Sequence, residues 1–375
     1  MSNNNRIFYS CQIVAVTNLG DDAITTGDMI HGVQSVGMTA SFNVEQAFEL
    51  GQIEIYENIE GTPDIEVTLE KVIDGSPLIY HMASTGVTDS NASGLVARSK
   101  QRCDVRLGIF DEAENNVASA NDNSGNAEVE VYCSGLYIGS VGYTIPVEGN
   151  STESLSLQGN NRTWLTGANV KIQSADVADF DGTDAPLALG VVNAASGGIQ
   201  RREDVMLVDC VLPISIKGVA GSGVGNGALP AISGSIPLVH LQSISISTDF
   251  SREDILELGR KTPYYRPAGF PIEVTCEIEA IASSGDFVQA LENGDPTLYS
   301  TISSGNNTGE ENIFIKLRAG IGFDLGTKNR LSSVSYGGGD ATGGNVSTTY
   351  SYTNFNDLDV QHLGHNNVGF RANAL

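Results

Sequence analysis

Residues 34–63 read QSVGMTASFNVEQAFELGQIEIYENIEGTP, and residues 242–271 read QSISISTDFSREDILELGRKTPYYRPAGFP, a second copy displaced by 208 positions. After one extra residue in the first copy, Asp64, the match continues as IEVTLEKV over IEVTCEIE at a displacement of 207. Fifteen of these 38 positions are identical, among them Gln34/Gln242, Phe42/Phe250, Gly51/Gly259, Tyr56/Tyr264 and Gly61/Gly269. A displacement held over so many positions marks a repeated structural unit, so an element assigned to one copy is expected in the other. A fainter echo, SLSLQ at 154–158 and DLDVQ at 357–361, sets the boundaries near residues 1–165 and 201–375, with 166–200 as a linker or insertion. The 375 residues accommodate two such units, since domains usually hold roughly 100–200 residues.

Within the unit, the apolar positions change parity at the shared Gln-Ser pair. Val33 gives way to Val36 and Met38, and Val239 and Leu241 give way to Ile244 and Ile246. That shift predicts a β-bulge. Next, Asn43 and Ser251 stand as N-caps, with Gln46 and Asp254 three positions on and Gly51 and Gly259 as terminators. A short helix is therefore expected over 43–51 and again over 251–259. Long loops follow at 52–63 and 260–271. Then comes strict alternation: Ile65, Val67 and Leu69 against Glu66, Thr68 and Glu70, repeated as Ile272, Val274, Cys276 and Ile278 against Glu273, Thr275, Glu277 and Glu279. Such alternation belongs to a strand with one dry and one wet face. Further strands are expected at 103–110, 127–133, 136–147, 312–321 and 331–336. The fold class read from this pattern is mainly β: two tandem antiparallel β-sandwich or barrel modules, each with a short α-helix.

Acidic residues outnumber basic ones 45 to 20, for a net charge of −25. This argues against a surface that grips nucleic acid, which needs Lys and Arg to displace counterions. A surface past which DNA slides is compatible with it. No apolar run reaches the roughly 18 residues of a membrane span, and the opening Met1-Ser-Asn-Asn-Asn lacks the pattern of a signal peptide. No membrane partner is expected, and synthesis is expected in a cytoplasm. The five cysteines, Cys11, Cys103, Cys133, Cys210 and Cys276, form no CxxC pair and several sit in apolar runs, as buried thiols do.

The sequence offers little chemistry. Of the histidines His31, His81, His240, His362 and His365, the close pair His362 and His365 lacks the carboxylate spacing of a zinc protease site. Asp176, Asp179, Asp181 and Asp184 surround Gly182, but an EF-hand register there would put Val177 and Ala188 at the two essential ligand positions. The glycine runs at 218–227 and 337–344 carry no following Lys-Ser or Lys-Thr, so they are not phosphate loops. No catalytic residue, metal site or cofactor is expected, and the chain is not expected to be an enzyme.

Residues 250–277, FSREDILELGRKTPYYRPAGFPIEVTCE, preceded by a Gln-Ser-Ile-Ser strand, resemble bacteriophage tail tube proteins. The resemblance implies a β-barrel or sandwich whose copies form six-domain rings, stacked into a hollow tube with an acidic inner wall for DNA passage. Two modules per chain then imply three chains per ring with pseudo-sixfold symmetry. On this reading Glu66, Glu70, Glu273 and Glu277 face the lumen, and Tyr56, Tyr264, Tyr265 and Arg266 in the long loops contact the next ring. Implied partners are other copies of the chain, other tail proteins (a sheath in a contractile tail, baseplate and terminator) and DNA in transit. The implied location is the virion tail. A baseplate hub that stops at one trimeric ring is the alternative, and a non-catalytic carbohydrate-binding or adhesive β protein is a third.

Overall fold

A computed structural model describes residues 6–7, 9–21, 24, 28–85, 94–110, 127–172, 198–207, 210–213, 216, 240–281, 288, 310–338 and 344–361. The acidic cluster at 176–184, the histidines at 362 and 365 and the glycine run at 218–227 lie outside these residues. The strands of the first half are β1 (Gln12–Asn18), β2 (Val33–Ser41), β3 (Val44–Phe48), β4 (Ile55–Glu60), β5 (Asp64–Val72), β6 (Cys103–Ile109), β7 (Val129–Pro146), β8 (Thr152–Gly159) and β9 (Asn161–Thr166). Two short helices, α1 (Ile79–Thr85) and α2 (Leu95–Arg98), lie between β5 and β6. The second half contributes β10 (Leu241–Asp249), β11 (Glu273–Ile281), β12 (Phe314–Lys316), β13 (Gly322–Asp324), β14 (Arg330–Gly337), β15 (Ser347–Phe355) and β16 (Asp359–Gln361).

The fold is mainly β, and its central sheet runs β2-β5-β8-β7-β10-β11-β15-β14, every pair antiparallel. Read in fours, this is one arrangement twice: β2-β5-β8-β7 and then β10-β11-β15-β14. The repeat in sequence is thus a repeat in sheet order, and it fixes register too. Val67 pairs with Leu157 and its counterpart Val274 with Asn354; Glu70 pairs with Ser154 and its counterpart Glu277 with Ser351. The structural counterpart of β8 is therefore β15. The echo between 154–158 and 357–361 does not reflect a shared position, because β16 pairs with β13 in a separate three-stranded sheet.

The parity shift at the Gln-Ser pair is a bulge in both copies, between Val33 and Ser35 and between Leu241 and Ser243. In each the bulged glutamine donates its side-chain amide to preceding carbonyls, Gln34 to Gly32 and Val33, Gln242 to His240 and Leu241. The two strands expected at 127–133 and 136–147 are one strand, β7, which passes from one sheet to another through Gly135 at φ 69°. Its first half pairs with β6 and β9, its second with β8 and β10.

The core lies under one face of the long sheet. Ile65, Val67, Leu69, Ile244, Ile246, Val274 and Cys276 are buried there against Val14, Val105 and Val131 of the β1-β6-β7 layer and against Ile315, Phe323 and Val360 of the β12-β13-β16 sheet. The halves share this core, with Tyr143 of the first and Phe323 of the second at a ring separation of 4.6 Å. Helix α1 is pinned by residues far away in sequence. The buried Glu153 carboxylate accepts from the Ile79 and Tyr80 amides at 2.7 and 3.0 Å, and His81 Nε2 lies 2.8 Å from the Val360 carbonyl.

The helix expected over 43–51 is not there. Residues 44–48 are β3, paired with β4 in a protruding hairpin, and the expected loop 52–63 contributes the second strand. Over 251–259 the helix is absent as well, and the segment is joined to the returning chain by a bridge between Ile255 and Tyr265. Both copies thus project an arm. The identical glycines close it: a Cβ at Gly61 would come within 2.5 Å of the Asn43 carbonyl oxygen, and one at Gly269 within 2.8 Å of the Ser251 oxygen. Gly51 and Gly259 turn the tips at φ 96° and 89°, where any side chain is strained.

His31, in the turn before β2, is buried, and burial, with Lys71 nearby, pulls its imidazole to about 4 from an ordinary 6.5. The unfolded chain takes up this proton first as pH falls. Stability present above about pH 6.5 is therefore lost toward pH 4, on the order of 3 kcal/mol from this group. Urea midpoints at pH 7 and pH 4.5 should differ by less in His31→Asn than in the unmodified protein; equal differences would contradict the assignment.

Candidate assembly surface

The other face of the long sheet is bare. Across its eight strands the outward positions include Ser35, Thr39, Glu66, Thr68, Glu70, Ser140, Ser154, Ser156 and Gln158 in the first four, and Ser243, Ser245, Ser247, Glu273, Thr275, Glu277, Ser333, Ser335, Ser351 and Thr353 in the second, with the exposed Phe355 beside Glu273. Glu66, Glu273 and Glu277 are exposed and Glu70 is half-buried, with Ser35 donating to it at 3.4 Å. All four glutamates therefore share one solvent-facing surface made mostly of short hydroxyl side chains. Arg330, at the margin, brings a base to it. A groove of about 650 Å³ crosses the surface at the base of the second arm, lined by Ser140, Gly142, Ser154, Ser247, Glu253 and Glu273. Its carboxylates and lack of bases make it a poor seat for phosphate.

The two ends of the sheet are open edges. β2 pairs with β5 on one side, β14 pairs with β15 on one side, and neither has a second partner strand among the described residues. Their counterparts by the repeat, β10 and β7, meet each other at the centre. The apolar side chains report the difference. Ile244 and Ile246 of β10 are buried, while Val36 and Met38 at the same repeat positions are partly open. Val141, Tyr143 and Ile145 of β7 are buried, while Leu331 and Val334 of β14 are partly open and Tyr336 is 60% exposed. The widest contrast is at the phenylalanine preceding each arm: Phe250 is 0% exposed and Phe42 is 73% exposed. An apolar row on an unpaired strand edge is a template for pairing with another chain.

The arms carry a second exposed apolar surface, of different character. Leu50 and Leu258 at the tips are fully exposed, and Tyr56 and Tyr264 are 64% and 63% exposed. Here both copies stay open, so the central junction, which buries Phe250, does not cover the arm tips. The other two loop residues turn inward. Tyr265 packs edge-on to Tyr137 with ring centres 6.3 Å apart, and Arg266 is buried between Asp64 at 3.0 Å and Asp254 at 2.9 Å. Tyr56 and Tyr264 are thus exposed, and Tyr265 and Arg266 pack against the rest of the chain. Their contacts bind the second arm to the first half of the chain, to which Thr62 also ties Lys261. Arg252 completes the junction, donating to the carbonyls of Ile138, Ser99 and Arg266 and lying over the Tyr137 ring. Val44 and Asn58 stand where the first copy would need Arg252 and Arg266.

Among the described residues, no three His, Cys, Asp or Glu side chains converge as a metal site. All five cysteines are buried and outside any disulfide, and burial raises Cys276 to about 12 and Cys133 to about 11. Such thiols are inert at neutral pH.

No family model matches the sequence, and no curated protein does. Solved structures similar to part of the chain include the anti-feeding prophage cap (AFP tube terminating cap), at 15% identity over 44% of this chain and 95% of that one with a TM-score of 0.30. The sheath-tube complex of an extracellular contractile injection system, PVC, in its extended state is similar at 10% identity, 44% and 95% coverage, and 0.29. The sheath/tube terminator of that system is similar at 12% identity, 44% and 100% coverage, and 0.29.

Proposed function

We propose that this chain is a structural, self-assembling protein of a phage-like tail: copies join edge to edge through the long sheet into a closed ring, and rings stack through their arms into a hollow tube. One observation carries the reading. The chain contains its own assembly contact, β7 against β10, and ends in the same two kinds of edge, still open. A head-to-tail contact of this kind propagates until the ring closes. Three chains supply six modules, giving pseudo-sixfold symmetry. The resemblance of residues 250–277 to tail tube proteins agrees with this assignment.

The bare glutamate face then turns to the lumen, because the opposite face is covered by the β1-β6-β7 layer, α1 and the β12-β13-β16 sheet. A wall of short hydroxyls and carboxylates has few protruding groups, and its charge repels DNA phosphates over about 8–10 Å at physiological salt. A hub that stops at one ring uses the same lateral contact and lacks the stacking.

Mass measured by light scattering across a concentration series tests the ring: species at three times the 39.5 kDa chain mass, or stacks of them, are expected. A monomer at every concentration contradicts it. The lumen is tested separately, by exchanging Glu66, Glu70, Glu273 and Glu277 for Lys. Tails assembled from that variant should keep their dimensions and release DNA more slowly; normal release would count against these glutamates lining the channel.

A further inference from the structure

We infer that the contact between chains pairs β14 of one copy with β2 of the next in the register of β7 with β10, and that Phe42 is the side chain it buries. This rests on the ring reading and deepens it to individual residues. Inside the chain Ser247 faces Gly142, Ile246 faces Tyr143, Ser245 faces Thr144 and Ile244 faces Ile145. The repeat converts β10 to β2: Ser247 becomes Thr39, Ile246 becomes Met38 and Ile244 becomes Val36. β7 converts to β14 through the strands beside them, since Gly142 pairs with Ser154 and Ser333 with its counterpart Ser351, and Tyr143 pairs with Glu153 and Val334 with its counterpart Tyr350. The cross-chain partners are therefore Thr39 with Ser333, Met38 with Val334, Gly37 with Ser335 and Val36 with Tyr336.

Chemistry and burial agree with this register. It sets Met38 and Val36, partly open, against Val334 and Tyr336, which are open on the same side of the sheet. Glu66 and Glu70 stay on the bare face, as Glu273 and Glu277 do across the internal junction. A slip by one residue would place Met38 beside serines and turn the apolar row outward. Phe250 lies at the end of the internal junction, where its amide donates to the Gly139 carbonyl at 2.9 Å, and its ring is fully enclosed. Phe42 occupies the same position at the open edge, so the next chain encloses it. Without counterparts of Arg252 and of the Arg266 to Asp64 pair, the contact between chains is the less strongly tied of the two.

The register is read by cysteine cross-linking of the full chain. The Phe250 amide to Gly139 bond and the Val147 amide to Gln242 bond at 2.8 Å make Ser247 and Gly142 a non-hydrogen-bonded pair, the closer kind in antiparallel sheets. Thr39 and Ser333 inherit that geometry, and both are exposed, so replacing them leaves the core intact. Thr39→Cys with Ser333→Cys should give, after mild oxidation, disulfide-linked dimers and trimers on non-reducing gels. Each single variant should stay unlinked, and so should Thr39→Cys with Ser335→Cys, where the thiols stand about two residues, roughly 7 Å, out of step. Rings that form yet leave the matched pair unlinked, or link the mismatched one, overturn the register and spare the ring. Chains that stay monomeric by light scattering overturn both.

Discussion

Phe250→Ala should lower the free energy of unfolding by about 3–5 kcal/mol, the usual cost of emptying an aromatic site in a core, whereas Phe42→Ala should change it by no more than about 0.5 kcal/mol. The two residues are the same amino acid at the same place in the repeat, and only their surroundings differ: Phe250 is 0% exposed and Phe42 is 73% exposed. In assembly the order reverses. Phe42→Ala should raise the concentration needed for rings by about tenfold, since burying an aromatic side chain contributes about 1.5–3 kcal/mol and about 1.4 kcal/mol is a factor of ten. Urea denaturation of the monomer and light scattering of the assembly read the two effects independently. Equal loss of monomer stability in both variants would show that Phe42 already has its partner within the chain.

The second large effect is expected at a buried ion pair. Arg106 of β6 and Glu130 of β7, diagonal to each other across the strand pair, are 2.7 Å apart with side chains 1% and 0% exposed. The guanidinium also lies 4.0 Å over the Tyr132 ring, and the second carboxylate oxygen accepts from the Lys171 and Ile172 amides at 2.7 and 3.0 Å. Glu130→Ala removes the countercharge and leaves Arg106 enclosed, at a cost of about 3–5 kcal/mol. Replacing both residues by Met should cost less than Glu130→Ala alone, because no charge is then left buried without its opposite. A double variant less stable than the single one would show that the pair does more than satisfy itself.

Much of the sheet could be read from the chain. The alternation at 65–70 and 272–279 reports one dry face, and the parity break at Gln34 and Gln242 reports a bulge, because a strand has a two-residue period that one inserted residue must shift. The arms could not be read in this way. Asn43, Gln46 and Gly51 satisfy the local grammar of a helix, and Val44, Ala47 and Phe48 fall at helical spacing, yet local capping energies of about 1 kcal/mol yield to strand pairing. The pairing strand β4 is exposed at every position, so no burial pattern marks it. The echo at 357–361 misled for a related reason: a short alternating motif fits any buried strand, and the true counterpart of β8, β15, pairs with the counterparts of β8's partners and shares little of its sequence. The glutamate face was legible as a row of residues. What could not be read was that the two rows join into one surface, since that depends on β7 meeting β10. The open edges, and the contrast between Phe42 and Phe250, likewise exist only once the strand order is known.

That strand order makes the central claim open to direct view. Electron microscopy of the purified chain, negatively stained across a range of concentrations, should show hollow rings with six lobes, singly or stacked into tubes. Dispersed particles of single-chain size at every concentration would contradict it.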